Sequence, residues 1–163
     1  MIARIPIGLL ALAVLAKQGS LPPEIRRVLD HRFPHWTFAT VTPDYGPGTS
    51  PAWLAVDFDG DGRMDYVVQL VARQSGGAVQ RVVAFLRRRA DYTMVALDSF
   101  PPTTTNYLQR VPRGTVRMDL DAPAGGVRTF RLAHDGVEIA YGDQAAKTCW
   151  YAESALRCVL TGD

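Results

Sequence analysis

Four aspartates crowd into nine residues, "DFDGDGRMD", at Asp57, Asp59, Asp61 and Asp65, with glycines at 60 and 62 between them. Carboxylates at the first, third, fifth and ninth positions of a loop suit a hard dication. Calcium takes six to eight oxygens at roughly 2.3–2.6 Å, and a glycine at the sixth position gives such a loop its sharp turn. On this reading Asp57, Asp59 and Asp61 surround the ion. Gly62 makes the turn, the Arg63 carbonyl faces inward from the seventh position, and Asp65 completes the set directly or through water. A solvated acidic turn is the competing reading, and it would leave four like charges together, each close pair costing about 1 kcal/mol or more. Magnesium prefers fewer protein ligands and stricter geometry. A bound calcium ion would fix the turn and its neighbours.

The elements around the loop set its kind. "AWLAVDF" before it and "DYVVQLVARQ" after it read as apolar strands. A helix–loop–helix calcium site needs glutamate at position twelve, which here is Val68. The loop is therefore strand-flanked, and it resembles the calcium loops of FG-GAP and related integrin-type repeats over that hairpin. More widely, "FPHWTFATV", "AVDFDGDGRMDYVVQL", "LQRVPRG" and "DGVEIAYG" follow one another in the chain. That order is similar to a group of uncharacterised exported bacterial proteins with an "FPGW…DFNGDG…DY" pattern, across most of the mature chain. His35 and Val56 stand where that pattern has glycine. The resemblance implies a fold and export, and brings no substrate.

Upstream, "SLPPEIRRVLDHRFPHW" predicts one short amphipathic helix. Ser20 is its candidate cap, Pro22 and Pro23 suit the first turn, and Ile25, Val28 and Leu29 form the apolar stripe. Pro34 ends it. The rest reads as about nine or ten strands without a strand–helix rhythm, hence a mainly β fold, an antiparallel meander or sandwich. "PRG" at residues 112–114 links two of these strands, and "HDG" at 134–136 signals a tight hairpin. "DLDAPAGG" from Asp119 echoes the aspartate loop without its third acid, so a propeller of repeated blades is excluded.

Residues 1–16, an apolar run after Arg4 ending in "VLA", have the layout of a secretory signal peptide; an uncleaved anchor or buried helix is the alternative. Residues 17–163 then form one domain, periplasmic or secreted. Two cysteines, Cys149 and Cys158, flank "WYAESALR", and an exported chain favours a disulfide between them over two buried thiols. A net charge of +2 gives no reason to invoke nucleic acid.

Catalytic signatures are weak. His31, His35 and His134 are the three histidines; Pro34 breaks the helix on which the first two could pair on zinc. Neither a Gly-x-Ser-x-Gly elbow nor a glycine-rich loop before a helix occurs. The expectation is a non-enzymatic, calcium-binding domain that acts by binding a protein, as inhibitors and immunity proteins do. A cell-envelope or carbohydrate-binding module is the alternative, and a hydrolase using Asp or Glu comes last. Arg87–Arg89 form either a docking patch or a solvated strand end. Trp53, Trp150 and Tyr151 form either a ligand face or core.

Overall fold

The structure is a computed structural model and describes residues 20–42, 52–123, 128–142 and 145–162. The expected signal segment and the "DYGPGTSP" loop, residues 44–51, lie outside the described residues.

Helix α1 (Pro23–Arg32) begins where two prolines pre-set the backbone and ends ahead of Pro34. Its N-cap is Pro22, with no side-chain cap, so Ser20 does not take the role expected of it. Ile25 and Leu29 are fully buried, each worth about 1.5–3 kcal/mol. Val28, read as the third residue of the stripe, faces outward and is exposed.

Among the described residues eleven strands follow. The first sheet holds β1 (Thr37–Phe38), β2 (Trp53–Val56), β3 (Asp65–Gln74), β4 (Gly77–Arg88) and β5 (Asp91–Phe100). Strands β1 and β2 share one edge of β3, and β4 and β5 extend the sheet on the other side. The second sheet holds β6 (Asn106–Val111), β7 (Val116–Asp119), β8 (Thr129–Arg131), β9 (Gly136–Tyr141), β10 (Ala145–Ala152) and β11 (Ala155–Gly162). Its order is β6-β9-β10-β11-β7-β8, with every pairing antiparallel.

The mainly β expectation holds, but the second sheet is not a simple meander. The turn at 112–114 joins β6 to β7, which do not pair, and "HDG" joins β8 to β9, which do not pair either. Gly136 is not left-handed, and Asp135 serves another purpose. Its carboxylate accepts the Arg113 N–H and pairs with Arg110, tying the connection to its surroundings. The β10–β11 hairpin does form as expected, around Glu153 and Ser154, both at positive φ as a type I′ turn requires.

Period-two alternation sorts the first sheet's side chains between two cores. Val67, Val82, Ala84 and Leu86 face the second sheet, meeting Leu108, Val137 and Ile139. Val68, Leu70, Val83 and Phe85 face α1 and its Ile25 and Leu29. The result is three layers: helix, five-stranded sheet, six-stranded sheet. Cys149 and Cys158 sit directly opposite each other on β10 and β11 and form a disulfide.

Candidate metal centre

The aspartate stretch closes the β2–β3 hairpin, with Val56 opposite Asp65. Phe58 is completely buried in the core between the sheets, which pins the loop from within and turns Asp57 and Asp59 away from that core. Hydrophobic burial of one residue thus sets the direction of its two acidic neighbours.

Each acid also organises backbone. Asp57 accepts the N–H of Gly60 at 2.8 Å and that of Gly62 at 3.0 Å. Asp59 accepts the Asp61 N–H at 3.3 Å, and Asp61 accepts the Arg63 N–H at 2.8 Å. Gly60 and Gly62, at φ 73° and 79°, supply the left-handed backbone that brings the chain back on itself. Together these features bring ligand atoms of Asp57, Asp59 and Asp61 within 4.8 Å of one another. Three carboxylates are hard oxygen donors, a donor set that can hold a divalent cation.

Asp65 stands apart from that trio. It is buried beneath the loop, where one oxygen accepts the Phe58 N–H at 3.0 Å and the other the Arg87 N–H at 2.7 Å. Burial pushes its carboxyl up to about 6, against the pull of the Arg87 and Phe58 N–H groups. Asp65 therefore bolts the start of the loop to β4. Arg63 is exposed, its side chain reaching the Arg89 carbonyl at 3.4 Å.

Two participants come from distant parts of the chain. Arg88, at the end of β4, pairs with Asp59 and donates to the Tyr151 hydroxyl at 3.3 Å. It neutralises one acid of the loop and leaves the other carboxylates of the trio without a guanidinium in close contact; Asp61 has Arg63 at 3.9 Å. His134, between β8 and β9, lies over Gly60 so closely that a Cβ there would fall on its imidazole. No local spacing announces either contact. Arg88 arrives through the β3–β4 register and His134 through the stacking of the sheets.

The remaining candidates scatter. His31 lies in the last turn of α1, and His35 sits at φ 60° after Pro34. Trp53 packs on the helix side beside Tyr66, Tyr151 joins the inter-sheet core, and Trp150 stacks on Phe130 with ring centroids 4.1 Å apart. The three expected aromatics therefore share no face. Arg87, Arg88 and Arg89 do not act as one patch, since Arg88 turns to Asp59 while Arg87 makes its side-chain contacts with Tyr92. No protein-family model, curated protein or solved structure matches the chain.

Proposed function

We propose that this is an exported, non-enzymatic binding domain whose loop end is held by calcium. Asp57, Asp59 and Asp61 would hold the ion, with the Arg63 carbonyl joining them and Asp65 bracing the loop from below. The ion would supply positive charge where the acids gather. The observation that carries the reading is the convergence of three carboxylates within 4.8 Å on a strand-flanked turn. Calcium suits it better than magnesium because the donors lie on a loop and number several carboxylates. Asp65, with both oxygens engaged by backbone N–H groups, reads as a brace and not as a general acid. The disulfide supports an oxidising compartment. Melting in EDTA and then in excess calcium tests the proposal: calcium should raise the midpoint and EDTA reverse it. Identical melts would overturn it.

The partner we favour is a protein, and an uncovered apolar row supports this. Val116, Met118 and Leu120 alternate along β7 and its end, and Leu160 lies across from Leu120, whose N–H bonds its carbonyl at 3.0 Å. All four are exposed, between 36% and 47%. An inhibitor or immunity role suits such a domain. Capture from the native envelope fraction should fail with Met118→Asp if this row docks the partner, and unchanged capture would redirect attention elsewhere.

A second reading, the envelope or carbohydrate module, is favoured by a different observation. Trp53, Tyr66 and Tyr92 form a continuous, partly buried aromatic row on the helix-side face, each centroid 5.9 Å from the next.

A further inference from the structure

At the loop end of that aromatic row, Arg63, Met64, Tyr66, Arg87, Arg89 and Tyr92 line a cleft of about 460 Å³. Three arginines border it, and among the described residues its lining holds no acid. Among the described residues neither Arg87 nor Arg89 forms an ion pair, and Arg63 has only Asp61 at 3.9 Å. Arg88, one residue away, is instead paired with Asp59. Alternation along β4 thus sends one arginine to the acid loop and its neighbour to the cleft.

The Arg87 side chain is positioned without being neutralised. It donates to the Tyr92 hydroxyl at 2.8 Å, and its guanidinium lies 5.1 Å from the Tyr92 ring centroid. Arg63 reaches the Arg89 carbonyl, linking the aspartate loop to the β4–β5 turn. In that two-residue turn Arg89 takes φ 55°, the position of a II′ turn where glycine is the relaxed choice. Turn geometry alone therefore does not account for arginine at this position. Tyr66 and Tyr92 meet edge to face at 74°, giving the cleft an aromatic corner.

Guanidinium forks recognise carboxylate and phosphate oxygens, and tyrosine rings take the apolar C–H face of a sugar. We infer that this cleft binds an acidic saccharide unit, its carboxylate set between Arg87 and Arg89 and its ring against Tyr66. The inference rests on the carbohydrate reading above and adds charge to it. An acidic peptide would meet the arginines but has no comparable use for the aromatic row.

The test is calorimetric titration of the calcium-loaded full chain with trigalacturonate, neutral galactotriose and a hexaglutamate peptide. Trigalacturonate should bind about tenfold or more tightly than the neutral sugar, as one or two charge-assisted contacts imply. Arg89→Gly relaxes the turn, so it should keep the fold and still lose about tenfold in affinity; Arg87→Ala should lose at least as much. Arg73→Ala, at the far end of β3, should change nothing. Equal binding of the neutral and acidic sugars would overturn the charge inference and leave the carbohydrate reading standing. Binding of neither sugar would overturn both, and tighter binding of the peptide would overturn the saccharide assignment in favour of an acidic protein.

Discussion

Two Asp-x-Asp turns occur in the described chain, one beside each sheet, and they begin alike. Asp59 accepts the N–H of Asp61 at 3.3 Å, and Asp119 accepts that of Asp121 at 2.9 Å. From there they diverge. Around Asp59, two left-handed glycines fold the chain back until Asp57 holds the N–H groups of both, and three carboxylates converge. Asp121 instead accepts the Leu160 N–H at 3.4 Å, on the strand that carries the disulfide. Acids near that second end meet counter-charges from the protein, as Asp98 does with Lys147 at 2.8 Å. An aspartate turn by itself only satisfies backbone donors. A cation site needs several such acids brought to one point, and their mutual repulsion needs an answer.

The contrast breaks most directly at the acids themselves. With calcium at a hundred times its Kd the ion would add about 2.7 kcal/mol, roughly 5–10 °C in Tm for a domain of this size. Asp59→Ala should erase that increment and Asp121→Ala should retain it, read from melts with calcium and with EDTA. An increment that survives the first substitution, or vanishes with the second, would show that the two turns do not differ as argued.

The second end should depend on its covalent tie. Replacing Cys149 and Cys158 together by serine should cost about 2–3 kcal/mol in denaturant unfolding, by removing a short loop closure from the unfolded chain. The calcium increment should persist in that variant, since the disulfide ties β10 to β11 while the acids lie on the β2–β3 hairpin of the other sheet. Coupling between them would mean that the sheets do not respond independently.

Glycines sharpen the comparison within the loop. Gly60 and Gly62 share a positive φ, so alanine at either should cost about 1 kcal/mol from backbone strain. A Cβ at 62 meets nothing within 4 Å, whereas one at 60 falls on His134. Gly60→Ala should therefore be the more damaging, by about a further 1 kcal/mol. His134→Ala should recover that difference; equal costs for the two glycines would dismiss the His134 contact.

The smallest effect concerns pH at the second end. Tyr141 donates to Asp98, and burial, then that hydrogen bond and the Asp98 charge, raise its phenol above the ordinary value of 10. A raised folded-state value favours the neutral phenol, so its contribution is complete below pH 10 and is lost as pH rises beyond. Tyr141→Phe should cost about 1 kcal/mol near neutrality and flatten the alkaline loss of stability. An unchanged alkaline limb would remove Tyr141 from that account.

Much of this was legible in the residues because it is local. The stretch Asp65–Gln74 reads directly as the third strand, and the hairpin between Cys149 and Cys158 follows from its own turn. The acids of the loop are adjacent enough for their spacing to state their geometry. Asp65 was less legible: its position fits a ligand, but its oxygens hold the N–H groups of Phe58 and Arg87, the latter from another strand. Val28 misled in another way, since helical spacing gives a stripe and not its width; the sheet covers only Ile25 and Leu29.

The sequence by itself determined the helix between its prolines, the strand-rich class, the three converging aspartates and the cysteine pair. Each depends on contacts between residues near in the chain or on alternation that burial must respect. Only the tertiary structure decided that β6 pairs with β9 and β7 with β11, that Arg88 answers Asp59, that His134 covers Gly60, and that Arg87 and Arg89 share a cleft with Tyr66 and Tyr92. Those contacts join residues far apart in the chain, and what brings them together is the joint burial of two apolar sheet faces, which no short stretch encodes.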